Sequence, residues 1–216
     1  MPRGFKINQK TIYFSDKFNR TSFINFEMPF KNRYFIGIVP PAPIFEQALE
    51  LKHYFQDHYQ SKASLNSPPH VTLHMPFEWK AEKEEELVNA LHHFSVGQPT
   101  IKVVLKDFDC FVRRVIFINV IPSKDLSALQ RSIRLFCKKE LGLFNADYKD
   151  LPFHPHITVA FRDLKKSMFT QAWEEFKNKR FDGEFLADRV TLLKHVERKW
   201  VAEKEFSFIN QVAIKP

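Results

Sequence analysis

Two short segments carry the residues best suited to chemistry. Pro68 to Phe77 reads PPHVTLHMPF, and Phe153 to Phe161 reads FHPHITVAF. Each holds a His-x-Thr triplet, His70 with Thr72 and His156 with Thr158. In both, a proline comes first, the middle residue is β-branched, and apolar residues alternate around the triplet. Residues two apart in a strand point the same way, so the alternation predicts Val71, Leu73 and Met75 packed inward and His70, Thr72 and His74 on a polar face. The same sorting puts Phe153, Ile157, Val159 and Phe161 inside and His154, His156 and Thr158 outside. Imidazole titrates near neutrality, so one ring can accept a proton while another donates one. Phosphodiester cleavage needs both acts, on opposite sides of phosphorus for in-line displacement. The two threonine hydroxyls are suited to hydrogen-bond the non-bridging oxygens where charge collects. This chemistry calls for no metal and no other cofactor.

Positioning two such strands face to face requires a scaffold that presents each in the same way, and the chain reads as if it were written twice. From Tyr34, YFIGIVP predicts a buried strand. Pro43 then opens a helix with the stripe Ile44, Ala48, Leu51, Phe55 and Tyr59. After the loop SLNSPP and the first histidine strand comes a helix over EKEEELVNALHHF, then a strand over TIKVVLKDF. The second half repeats this order. RVIFINVIP is a strand, Ser123 an N-cap, and Leu126, Leu129, Ile133 and Phe136 a core-facing stripe that Gly142 ends. The second histidine strand follows, then a helix bearing Phe169, Ala172, Trp173 and Phe176, then one strand over EFLADRVTLL. Pro40 and Pro122 are 82 residues apart and His70 and His156 are 86 apart, so the two offsets nearly agree.

The expected fold class is therefore α+β. It is a bilobal domain over 34–216 whose lobes, roughly 34–110 and 111–216, are related by a pseudo-two-fold axis. Each lobe buries one face of an antiparallel sheet against helices and turns the other toward a shared cleft. A polar hairpin over KHVERKWVAEKEFSFI returns a last strand, Phe206 to Ile209, to the second lobe. Residues 1–33, with seven Lys or Arg against two acids, form an extension outside the repeated pattern.

The 216 residues, 44% of them hydrophobic, can supply a real core. The sequence contains no apolar run long enough for a membrane span and no secretory signal, so a cytoplasmic protein without membrane association is expected. Cys110 and Cys137 are too few for a disulfide framework or a cysteine zinc site, and read as two buried thiols. A net charge of +8 and a pI near 9.4 bias the surface toward polyanions such as RNA or nucleotides.

Around the paired triplets, His74 and His154 share the polar face and are candidates to orient the catalytic rings or touch substrate. Arg162, Arg113, Arg114 and Lys194 lie near strand ends where a cation directed into the cleft meets phosphate. Phe111, in the arginine-bearing hairpin, is a candidate to stack a base. His92 and His93 sit late in a helix with no chemical partner.

The paired triplets resemble those of the 2H phosphoesterases, which include the bacterial 2′-5′ RNA ligase-like proteins and the cyclic phosphodiesterases. The signature is a pair of His-x-Thr/Ser-x motifs, here His70-Val71-Thr72-Leu73 and His156-Ile157-Thr158-Val159. The likeness runs from about Tyr34 to Ile209, and FDCFVRRVIFINV is similar to the family's link between lobes. The resemblance implies catalysis by His70 and His156 with Thr72 and Thr158 holding phosphate. It also implies metal-independent action on 2′,3′-cyclic phosphates or 2′-5′ linkages in RNA ends or nucleotides, in either direction. A monomer is expected. Two other readings compete. One is a zinc-dependent hydrolase using His70, His74, His154 and His156, and the other is a non-catalytic RNA-binding module using the basic cleft alone.

Overall fold

The computed structural model describes residues 30–145 and 152–209. Most of the 1–33 extension and the middle of the loop FNADYKDLP lie outside the described residues. The first strand, β1, spans Lys31–Ile38, so Lys31 to Arg33 belong to the sheet. It leads into α1 (Ile44–Tyr59), a 3-10 turn (Ala63–Asn66) and the first histidine strand β2 (Val71–Lys80). Then come α2 (Glu84–Ser95), β3 (Ile101–Phe111) and, after a tight turn, β4 (Val115–Val120). Helix α3 (Lys124–Glu140), the second histidine strand β5 (His156–Phe161) and α4 (Lys166–Phe176) complete the repeat. Strands β6 (Asp182–Ala187), β7 (Arg189–Val196) and β8 (Lys199–Ser207) close the described chain.

Local signals act where the residue types place them. The Ser123 hydroxyl accepts the Leu126 amide at 3.0 Å and starts α3. Gly142 takes a φ of +64° just past that helix, a left-handed turn that glycine makes without steric cost. The apolar stripes of the four helices bury Phe55, Leu91, Ile133 and Phe176 against one face of the sheet. No helix among the described residues is long and apolar enough to cross a membrane.

All eight strands form one antiparallel sheet in the order β6-β3-β4-β5-β2-β1-β7-β8. The histidine strands are its central neighbours, and only one residue pair joins them, Val71 opposite Ile157. To one side lies β6-β3-β4-β5, to the other β2-β1-β7-β8. The spatial halves are therefore not the sequence halves 34–110 and 111–216. The tight turn after Phe111 folds β3 back onto β4, and β7 hydrogen-bonds β1, so the first half of the sequence lends β3 to the other side and the second half lends β7 with β8. EFLADRVTLL is two strands rather than one, broken at Asp188. β6 pairs with β3 at one end of the order, whereas β7 pairs with β1 near the other. One residue spans that distance, so the sheet must curl around its free face. The closing hairpin is also relocated: β8 pairs with β7 beside β1, and Ile209 makes an isolated bridge with Val96.

Candidate active site

At the hinge of the curled sheet, the bridge between Val71 and Ile157 places His70 and His156 next to each other in the fold, one residue before each bridge partner. By count, His70 comes level with Thr158 and Thr72 with His156. All four line a single cleft of about 420 Å³. Both rings are held by the same device. The His70 Nδ1–H donates to the Pro68 carbonyl at 2.7 Å, and the His156 Nδ1–H donates to the His154 carbonyl at 2.7 Å. A carbonyl only accepts, so each Nδ1 carries the proton and each neutral ring keeps the Nε2 lone pair for the cleft. Among the described residues, none engages the hydroxyl of Thr72 or Thr158.

Each ring also rests on a phenylalanine from the neighbouring strand. Phe35 of β1 lies 4.6 Å from His70 and Phe117 of β4 lies 4.7 Å from His156, both inclined at 44°. The phenylalanines are 82 residues apart, the same offset as Pro40 and Pro122. Neither belongs to the helix-facing core cluster, although both are buried; Phe35 lines the cleft, and Phe117 supports it from beneath His156. A second aromatic backs each one at 4.8 Å, Trp200 behind Phe35 and Phe111 behind Phe117.

The electrostatics favour neutral imidazoles. Burial pushes His70 down to about 4, opposed by its bond to Pro68 and assisted by the charge of Lys52. Burial lowers His156 as well, opposed by its bond to the His154 carbonyl and assisted to a smaller degree by the charge of the His154 ring. Lys52 is only 1% exposed on α1, and its ammonium donates to the carbonyls of Ser64 at 3.0 Å and Ser67 at 2.9 Å. Burial brings it down to about 7. It thus secures from below the loop over residues 63–67 that walls the cleft. The same loop is tied to the end of β5. Asp163 accepts from the Ser61 hydroxyl and from the Lys62 and Ala63 amides, all at 2.9 Å, and the Ser64 hydroxyl donates to the Val159 carbonyl at 2.8 Å.

Of the other sequence candidates, Phe111 and Arg162 line the cleft. Arg113 lines an adjoining cavity with Arg114. His154 is exposed and approaches Phe111 and His156 by its ring edge, while its carbonyl fixes His156. Two candidates are misplaced. His74 is 1% exposed and packs edge-on against Phe77 in the core, its Nδ1 bonded to the Met75 carbonyl. The reason is a pair of register slips of β2 against β1 between Thr72 and Phe77, which turn His74 inward and leave Met75 50% exposed. Lys194 shares strand parity with Val190 and Leu192 and so faces α2, where Glu84 binds it at 2.8 Å. The four-imidazole cluster of the zinc reading does not form, because His74 is on the other side of the sheet. No three His, Cys, Asp or Glu side chains among the described residues are grouped to share a metal.

Sequence reasoning missed Phe35, Lys52, Arg33, His195, Arg198 and Trp200, of which all but Lys52 line the cleft. For Lys52 a signal existed, since it stands four residues after Ala48 on the buried stripe. For Arg198 and Trp200, the relocation of β8 decides the matter.

The model of the 2′-5′ RNA ligase superfamily matches residues 40–199. The chain belongs to this superfamily. Proteins named "Putative phosphoesterase" share 28% identity over 81% of this chain and 95% of the relative in Geobacillus kaustophilus, and 30% over 64% and 78% in Bacillus pumilus. Escherichia coli LigT complexed with 3′-AMP superposes with a TM-score of 0.61 at 24% identity, covering 84% of this chain and all of LigT. LigT complexed with NADP+ gives 0.57 at 25% identity, with the same coverage. These superpositions fit the α+β architecture described above, and this superfamily member is an enzyme of the phosphodiesterase and ligase-like kind.

Proposed function

We propose that this superfamily member is a metal-independent phosphodiesterase for 2′,3′-cyclic phosphates or 2′-5′ linkages at RNA ends or in nucleotides, with His70 and His156 as general acid and base. One observation carries the reading: the matched pair of Nδ1–carbonyl bonds leaves two Nε2 atoms for one cleft from opposite sides of the bridge. That LigT holds 3′-AMP and NADP+ in its crystals supports a nucleotide ligand here.

In hydrolysis of a cyclic phosphate, one neutral imidazole takes a proton from water as the water oxygen bonds to phosphorus. The opposite bond from phosphorus to a ribose oxygen breaks, and that oxygen takes the proton of the other ring, which binds a proton at Nε2 when the anionic phosphate enters the cleft. Thr72 and Thr158 donate to the non-bridging oxygens as charge builds there. With a 5′-hydroxyl in place of water and the ribose 3′ oxygen as the leaving group, the same steps form a 2′-5′ linkage. The test is turnover of a panel of 2′,3′-cyclic nucleotides and 2′-5′-linked dinucleotides in excess chelator. Cleavage that chelation leaves unchanged is expected. Cleavage abolished by chelator and restored by zinc overturns the metal-independent reading, and binding without turnover of any substrate overturns the enzymatic one.

A further inference from the structure

Beside the catalytic cleft, a second cavity of about 560 Å³ shares Phe111, Val115, Phe161 and Arg162 with it and adds Arg113, Arg114 and Leu164. Three of its seven lining residues are arginines and none is acidic. Two arginines elsewhere carry counter-ions, Arg180 bound by Asp107 and Arg189 by Asp188 and Glu205. Arg113, Arg114 and Arg162 make no ion pair with any described residue. Like charges grouped without a counter-ion repel one another, and an anion in their midst removes that cost. The backbone is also unusual here. Arg113 and Arg162 take φ values of 66° and 56°, a left-handed region that glycine or asparagine adopts more easily. Two separate turns therefore hold arginine in a disfavoured conformation at the wall of one cavity. Arg162 is further steadied over the Phe161 ring at 4.7 Å. Planar guanidinium groups match phosphate in two-point hydrogen bonds.

Resting on the proposed phosphodiesterase reading, we infer that this cavity binds a second phosphate of the substrate, making the preferred substrate an oligoribonucleotide end rather than a mononucleotide. Phe111 divides the two cavities, 39% exposed, with its ring 5.2 Å from His156. A nucleoside joining the reacting phosphate to its neighbour would cross this partition, with Phe111 offered to its base.

The experiment compares kcat/KM for a 2′,3′-cyclic mononucleotide and for a short oligoribonucleotide with the same cyclic phosphate end. The proteins are the wild type, Arg113→Ala/Arg114→Ala, and Arg113→Lys/Arg114→Lys. The wild type should prefer the oligonucleotide. The alanine pair should lose about tenfold more on the oligonucleotide than on the mononucleotide, with a shallower salt dependence by about one to two counterions, and the lysine pair should recover part of the difference. Equal wild-type kcat/KM for both substrates overturns the inference, as does an equal loss on both in the alanine pair. Wild-type turnover of neither substrate instead overturns the phosphodiesterase reading beneath it.

Discussion

The half of the molecule around His70 and the half around His156 hold their imidazoles in the same way but surround them differently. On each side, a carbonyl two residues upstream fixes Nδ1 at 2.7 Å and a phenylalanine inclined at 44° supports the ring. On the His70 side a buried lysine lies under the adjoining loop, and the imidazole is pushed down to about 4. On the His156 side the neighbour is an exposed histidine, and arginines gather in the next cavity. Symmetric strands thus hold the two imidazoles alike, while unlike surroundings set them apart, as the proposed acid and base roles and the proposed second phosphate site require.

The largest effects should come from removing either member of the matched pair. His70→Ala and His156→Ala should each lower kcat on a cyclic phosphate by about a hundred- to ten-thousand-fold, without a comparable change in melting temperature. If one of them retains wild-type turnover, the halves are not chemical partners. Thr72→Val and Thr158→Val should each cost roughly ten- to hundredfold in kcat/KM, since a hydrogen bond to a charged group is worth about 1.5–3 kcal/mol. Steady-state kinetics showing a loss at only one threonine would limit phosphate binding to one half.

A smaller effect sharpens the asymmetry. Lys52 has a folded pKa of about 7 against its ordinary 10.5, so between these values the unfolded chain binds the extra proton. Stability should therefore rise as pH increases from 7 toward 10, by at most about 1.4 kcal/mol per unit. Lys52→Met should lack this rise, so thermal melts of wild type and variant should separate progressively from pH 7 to 9. Parallel curves would show that the lysine is not held in a desolvated site. The same variant removes a positive charge near His70, and a pH titration should find the pKa of that imidazole raised.

Much of this arrangement could be read from the sequence because the decisive residues are local. The His-x-Thr strands, the helix stripes, the Ser123 cap and the Gly142 stop each depend on spacing that short-range geometry enforces. What escaped depends on breaks in that spacing. Alternation was carried straight through both histidine strands, yet β2 slips against β1 after Thr72, and β5 slips against β4 between Thr158 and Ala160. His74 and Ala160, 86 residues apart like His70 and His156, are both turned into the core, and Phe161 is turned to the cleft. The duplication thus includes its irregularities. The exchange of β3 and β7 between halves, and with it the arrival of Trp200 behind Phe35, is settled by long-range pairing that no window of sequence contains.

The most direct test of a shared phosphate site is an imidazole ¹⁵N NMR titration of the wild type with a nucleoside 2′-monophosphate, with His70 and His156 assigned through their alanine variants. A phosphate between the rings favours the charged form of each. Saturation should therefore shift both Nε2 resonances and raise both pKa values together. A ligand that moves one histidine and leaves the other at its free position would contradict the account.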